Sequence, residues 1–265
     1  MPYVDAKGIR IYYEIEGNGH PLVLAHGITN NLEVWRNLGY VDILKDNFKL
    51  ILFDARGHGL SDKPHEVSEY GVKMADDVIA VLDNLGIAKA HYFGYSLGAT
   101  TGFTLANRKA NRFYSFILGG MGPYNFPEVM VQAIKVSING FKLLRDDPQE
   151  YILWMEELLG RSLVPAEKNE LLNRDAEVLI AINAALLDTP PISSSDLASI
   201  SLPCLVFCGD LDPFHSGAKV SADYMLQARF LSLPRLNHIA AFANVNQVLP
   251  HIQEFLSDVI EVLDY

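Results

Sequence analysis

The stretch Tyr92-Phe93-Gly94-Tyr95-Ser96-Leu97-Gly98-Ala99 decides how this chain is read. Strand-like residues precede the G-x-S-x-G pentapeptide and helix-compatible residues follow it. This is the pattern of a nucleophile elbow, in which a serine on a sharp strand-to-helix turn has its hydroxyl pushed clear of the packed layer. Gly94 and Gly98 leave room for the turn because neither carries a Cβ, and Ala99 and Gly102 let the new helix lie close to the sheet. The N–H of Leu97, with the helix dipole behind it, points into the space above Ser96 and supplies half of an oxyanion hole. A G-x-S-x-G arises by chance in a chain of this length with a probability on the order of 0.1, so the reading needs partners elsewhere.

Upstream of the elbow, Ile9 to Glu16 alternates and carries Tyr12, Tyr13 and Ile15, which suits a strand at the edge of a sheet. Pro21-Leu22-Val23-Leu24-Ala25 is a continuous apolar run, the pattern of a strand covered on both faces, and it delivers His26-Gly27-Ile28-Thr29 at its carboxyl end. A helix is expected through Leu32, Val34 and Leu38, then a buried strand at Lys49 to Phe53. That strand leads into the turn Asp54-Ala55-Arg56-Gly57-His58-Gly59-Leu60-Ser61. Helical spacing returns from Ser68 to Leu85, closed by Gly86.

Downstream, Phe113 to Leu118 reads as a strand. Between Pro123 and about Ser201 no strand-like run stands out, and amphipathic segments occupy Val129 to Leu144, Pro148 to Leu159 and Ala166 to Leu187. Strands and helices then resume: a strand Cys204 to Gly209, a helix near Ser216 to Leu226, a strand Arg229 to Leu233 and a helix from about Asn244 to Val262. Such alternation predicts an α/β fold with a mostly parallel sheet and helices on both faces. Residues 1–121 and 202–265 form the core in this reading, and 122–201 form a helical cap inserted over the strand ends, where ligands of open α/β sheets collect.

The 265 residues, 49% of them hydrophobic, suffice for one large domain with an insert. A formal charge of −11 argues against nucleic acid or an anionic membrane surface as the main partner, because both are repelled at long range. The first residues lack a basic region followed by an apolar run, and no apolar stretch reaches the length of a membrane span, so a cytoplasmic protein is expected. Four strand residues put Cys204 and Cys208 about 13 Å apart, beyond disulfide reach, and no histidine pair at metal spacing stands near them; buried thiols and no metal are expected.

A serine hydroxyl is a poor nucleophile until a base takes its proton, so a histidine and an orienting carboxylate are required at strand ends after the insert. Gly209-Asp210-Leu211-Asp212-Pro213 follows one strand and Leu236-Asn237-His238 follows the last. The order Ser96, Asp, His238 is that of elbow-type hydrolases. Asp210 and Asp212 both remain open on position alone. Asp212 is preferred because it lies further into the loop, where it can reach a histidine from the next strand, and because Pro213 stiffens the backbone after it.

With these marks in place the chain resembles the α/β-hydrolase family, in its cap-bearing branch of serine esterases, thioesterases, perhydrolase-like enzymes and carbon–carbon bond hydrolases. The resemblance covers nearly the whole chain. It rests on Gly17-x-Gly19-x-Pro21, His26-Gly27, Asp54-x-Arg56-Gly57-His58-Gly59-x-Ser61, the Ser96 elbow, Gly209-x-x-Asp212 and His238. It implies that the N–H of Ile28 is the second oxyanion donor beside Leu97, and its Gly-x-x-Asp spacing points to Asp212. Asn237 stands where the family usually has glycine. The His26-to-Asn30 loop lacks the further glycine and proline of the carbon–carbon hydrolase subset, and a serine at the elbow disfavours haloalkane dehalogenases and epoxide hydrolases.

The expected activity is therefore hydrolysis of a small or medium carboxylic ester or thioester through the triad Ser96, Asp212 and His238 and an acyl-enzyme, without a cofactor. The expected partner is a small-molecule substrate, with the chain a monomer or homodimer. The alternatives are a ligand-binding receptor or regulatory protein on the same scaffold and a carbon–carbon bond hydrolase. His26 and His58 are read as scaffolding, and His20, His65, His91, His215 and His251 as surface or loop residues. Tyr151, Trp154 and Met155 are read as helix packing or the inner face of the cap. Arg145, Arg161 and Arg174 are read as a solvated face, with a substrate carboxylate as the lesser alternative.

Overall fold

The computed structural model describes residues 2–123 and 128–263. Residues 124–127 of the expected insert 122–201 lie outside the described residues, as do 1, 264 and 265.

In chain order the first strands are β1 (Tyr3–Ala6), β2 (Ile9–Glu16) and β3 (His20–Ala25). Two short helices follow, α1 (Glu33–Asn37) and α2 (Tyr40–Leu44), then β4 (Phe48–Phe53). Helix α3 (Met74–Asn84) leads to β5 (Ala90–Tyr95), α4 (Leu97–Arg108) and β6 (Phe113–Gly119). Among the described residues five helices stand between β6 and the next strand: α5 (Glu128–Asp146), α6 (Pro148–Leu159), α7 (Pro165–Leu172), α8 (Ala176–Asp188) and α9 (Ser194–Ser199). The chain ends with β7 (Cys204–Gly209), α10 (His215–Tyr224), β8 (Ala228–Leu233), α11 (His238–Ala243) and α12 (Val245–Leu263).

Among the described residues the sheet has eight strands in the order β1-β2-β4-β3-β5-β6-β7-β8. The six from β4 to β8 pair in parallel, while β2 joins β4 and β1 joins β2 antiparallel. Successive strand residues point to opposite faces, which is why the apolar runs are continuous: each face needs its own helices. Val23, Tyr92, Phe116 and Val206 enter one cluster with Val81, Phe103 and Ala218 of α3, α4 and α10. Leu22, Phe93, Ile117 and Phe207 enter the other with Trp35, Tyr40, Ile252 and Phe255 of α1, α2 and α12.

Several expectations are corrected. The edge strand is β1, with β2 one place inward, because a strand of four residues is too short to leave a periodicity to read. The Ala166–Leu187 segment is two helices, broken at Asn173-Arg174-Asp175, where the Asp175 side chain accepts from the Val178 N–H and caps α8. The Ser68–Leu85 helix begins only at Met74, after two 3-10 turns. His91 is fully buried in β5, its Nδ1 2.8 Å from the Ser115 hydroxyl. Both cysteines are free and buried. Among the described residues no helix is long and apolar enough to cross a membrane.

The helices between β6 and β7 divide their packing. Met130 and Ile134 of α5 join Val178 and Ile182 of α8 in the main core cluster. Leu144, Tyr151, Ile152, Leu163 and Leu171 form a small nucleus of their own.

Candidate active site

Ser96 stands between β5 and α4 with φ 54° and ψ −111°, a left-handed backbone that costs a non-glycine residue on the order of 1–3 kcal/mol. Its surroundings enforce it. The Ser96 N–H donates to the Gly119 carbonyl at 2.8 Å, and its own carbonyl accepts from the Thr100 N–H at 2.9 Å. A Cβ on Gly94 would collide with the Gly98 backbone, and one on Gly98 with the Ala25 carbonyl. The elbow therefore tolerates only hydrogen at both places.

His238 is the first residue of α11, and its Nε2 lies 3.0 Å from Ser96 Oγ. Its Nδ1 lies 2.7 Å from Asp212 Oδ2. The carboxylate is completely buried, its other oxygen accepts from the Phe214 N–H at 2.9 Å, and His238 is its one ion-pair partner among the described residues. With Nδ1–H donating to the carboxylate, Nε2 is left as an acceptor for the serine hydroxyl. Asp210 is exposed and turned away, accepting from the Arg235 N–H at 2.6 Å. Burial, helped by the Asp212 charge, pushes the neighbouring Cys208 thiol up, so it stays neutral. Asn237 caps α11 by accepting from the Ala240 N–H at 2.9 Å, so asparagine here anchors the helix that carries His238.

Leu97 opens α4, so its N–H has no acceptor within the helix. The Ile28 amide is oriented indirectly. His26 Nε2 accepts from the Ala55 N–H at 3.1 Å, which places the ring proton on Nδ1, and Nδ1–H donates to the Gly27 carbonyl at 2.8 Å. Gly27 C=O and Ile28 N–H belong to one trans peptide and point in opposite directions. Holding the carbonyl toward His26 therefore turns the amide the other way. Burial keeps His26 below its ordinary value, hence neutral.

The Asp54-to-Ser61 motif is scaffolding for the same loops. Asp54 accepts from the Leu32 N–H at 2.8 Å and the Leu60 N–H at 2.7 Å, and its carbonyl accepts from the Ser61 hydroxyl at 2.6 Å. Arg56 is buried against Asp77 and donates to the Glu69 carbonyl at 2.6 Å. His58, pushed down to about 3 by burial, donates from Nδ1 to the Arg56 carbonyl at 3.1 Å.

Above Ser96 and His238 opens a cavity of about 380 Å³. Its walls come from the His26-to-Asn30 loop, from α1 and α11, and from Phe141, Trp154, Met155 and Leu158 of α5 and α6. Trp154 thus both packs and lines, its ring filling the space over Gly140. A larger cleft of about 620 Å³ lies at the opposite end of the strands, near Phe113, Pro203 and Ala228, away from any of these groups. Arg145 and Arg161 sit in exposed ion pairs with Asp146, Glu177 and Glu167, whereas Arg174 reaches the cavity.

Tyr95, Ile239 and Phe242 also line the cavity and were not singled out from the sequence. The last two ride on α11, a six-residue helix too short to leave a periodic signal.

A sequence model of the alpha/beta hydrolase fold matches residues 20–202, and the chain belongs to that family. Hydrolase is the enzyme class that the family defines for it. The chain is 28% identical to a 2-(acetamidomethylene)succinate hydrolase of Mesorhizobium japonicum, over 94% of this chain and 90% of that protein. It is 26% identical to 3-oxoadipate enol-lactonase 1 of Acinetobacter baylyi, over 79% and 78% of the two chains. Among solved structures, a thermophilic esterase from Thermogutta terrifontis superposes with a TM-score of 0.77 at 24% identity, over 98% of this chain and 97% of that one.

Proposed function

We propose that this chain is a serine hydrolase that cleaves a small or medium carboxylic ester or thioester through an acyl-enzyme on Ser96. The observation that carries the reading is the continuous contact from Ser96 Oγ through His238 to the buried Asp212 at the floor of a largely apolar cavity. The enol-lactonase relative agrees with it, a lactone being a cyclic ester.

In this mechanism His238 Nε2 takes the hydroxyl proton as Ser96 Oγ attacks the ester carbonyl, and the negative charge that develops on oxygen meets the Ile28 and Leu97 N–H groups. Asp212 stabilises the imidazolium. The imidazolium then protonates the departing alkoxide or thiolate. Water attacks the acyl-enzyme with His238 again as base, releasing the acid and restoring Ser96.

Residues 122–201 act in this reading as a helical cap over the core of 1–121 and 202–265. Support comes from the α5 and α6 side chains over Ser96 and from the separate small nucleus of that segment.

The test is a fluorophosphonate probe together with p-nitrophenyl acetate and butyrate. Wild type should be labelled at Ser96 and turn over both esters, and Ser96→Ala should do neither. Absence of labelling in a folded sample overturns the reading.

A further inference from the structure

We infer that Arg174 makes this cavity a site for esters that carry a carboxylate remote from the scissile bond, such as half-esters of dicarboxylic acids; the inference rests on the hydrolase reading of Ser96. Arg174 lies in the break between α7 and α8, where it lines the same cavity as Ser96 and His238 and also borders an adjoining cleft with Glu170 and Asp175. Apart from His238 it is the one ionisable cation among the described residues lining the Ser96 cavity, and no carboxylate is among them. The rest of the wall is mostly aliphatic and aromatic, which has no use for a positive charge.

The charge is also poorly neutralised by the protein. Its one acidic contact among the described residues is Glu170, at 3.5 Å on a side chain 75% exposed, against 21% exposure for Arg174 itself. An exposed pair of that length contributes little. Neighbouring Asp175 is engaged elsewhere, accepting from the Val178 N–H and contacting His65 at 3.1 Å. Arg161, by contrast, holds both oxygens of Glu167, at 2.9 and 2.7 Å. On the cavity side stands the buried Tyr151, whose phenol is pushed up by burial and held back by the nearby Arg174 charge.

A guanidinium stays protonated at any working pH and presents a planar fork that matches a carboxylate with two parallel N–H···O bonds. Partly desolvated among apolar residues, it gains more from an incoming anion than it would in water. A chain with a formal charge of −11 does not draw anions in from a distance, so the preference resides in the contact rather than in steering. The reaction is unchanged: Ser96 Oγ bonds to the ester carbonyl, the alcohol leaves with the proton from His238, and water releases the diacid. Arg174 binds throughout and exchanges no proton.

The test compares monomethyl succinate, glutarate and adipate with methyl butyrate, pentanoate and hexanoate on wild type, Arg174→Gln and Arg174→Lys. Binding of the free diacids is followed by calorimetry. Wild type should favour one half-ester over its neutral counterpart, and Arg174→Gln should lower kcat/KM for that half-ester by roughly 10–100-fold, chiefly in KM, leaving the neutral ester within about threefold. Arg174→Lys should recover part of the loss, and diacid binding should weaken in parallel. Equal losses on charged and neutral esters, or diacid binding that ignores Arg174, overturn the inference. If Ser96 resists the fluorophosphonate probe while diacid binding still depends on Arg174, the hydrolase reading fails and the anion site stands. If Ser96 is labelled and the half-ester preference is missing, the reverse holds.

Discussion

The phenolic hydroxyl of Tyr95 donates to the backbone carbonyl of His238 at 2.6 Å. The residue immediately before the elbow serine thus holds the first turn of the helix that carries the histidine. Its ring stacks on Phe242 at 4.4 Å, one turn further along the same helix. Burial and the Asp212 charge raise the phenol well above its ordinary value, so it remains a donor across the working pH range. Tyr95→Phe keeps the stacking and removes the hydrogen bond. It should lower stability by about 1 kcal/mol and kcat by roughly three- to tenfold with KM little changed, read from thermal unfolding and p-nitrophenyl ester kinetics. An unchanged kcat would leave Tyr95 a packing residue only.

The two candidate acids separate cleanly. Asp212→Asn should lower kcat by on the order of 10²–10⁴, because the amide cannot stabilise the imidazolium and favours the wrong tautomer. Asp210→Asn should stay within about tenfold, since its exposed carboxylate accepts from the Arg235 N–H rather than from His238. The opposite ranking in two equally folded variants transfers the role to Asp210.

If the oxyanion donors are backbone groups, Ile28→Ala and Leu97→Ala should each keep kcat within roughly tenfold, the N–H surviving the substitution. His26 is different, because its Nδ1–H fixes the Gly27–Ile28 peptide. His26→Phe should cost on the order of 10² in kcat with a smaller change in KM, the scale of losing one oxyanion donor. A folded variant with normal kcat would show that the loop holds this peptide unaided.

Trp154 should govern substrate length. Trp154→Ala enlarges a cavity of about 380 Å³ from the wall that α6 contributes, so longer acyl chains should gain relative to acetate, by roughly tenfold or more. A uniform loss across chain lengths that tracks lost stability would make Trp154 core.

Three buried histidines predict an acid-sensitive fold. His26 is depressed by burial, His58 lies at about 3 and His91 at about 4, against 6.5 for an exposed imidazole. The unfolded chain takes up protons below pH 6.5 that the folded chain refuses, so the full stability is present above that value and is lost as pH falls toward the folded values. Asp77, raised to about 6 chiefly by burial, acts in the opposite sense, protonating first in the folded state, but one carboxylate offsets only one histidine. Denaturant unfolding at pH 7.5, 6 and 5 should show the loss. His91→Gln should flatten the slope by about 1 kcal/mol per pH unit, and an unaltered slope would refute the role of His91.

What local sequence dictates in this protein is what neighbouring residues settle among themselves. Short apolar runs such as Leu22 to Ala25 and Cys204 to Cys208, bounded by turn residues, have the pattern of strands covered on both faces, and their alternation with helices points to a parallel sheet. The glycines flanking Ser96 announce a turn that larger side chains would block, so the elbow and the candidate nucleophile are legible within eight residues. The late aspartate and histidine follow from the chemical need for a base and an orienting acid at strand ends.

Tertiary structure decided the rest, because it depends on contacts between residues far apart in the chain. Strand β1 exists through its register with β2 rather than any pattern of its own. Asp210 and Asp212 are near-equivalent in sequence, and only the path of the loop after β7 sends one carboxylate inward to His238 and the other to Arg235. His91 looks like any polar residue until β6 covers it and Ser115 meets its ring. Arg174 is one of three similar arginines in a helical stretch, and only the packed structure brings it to the cavity over Ser96 while Arg145 and Arg161 find acids on the surface. Periodicity reports which face of an element is apolar, whereas the direction of a charged side chain is set by what packs around it.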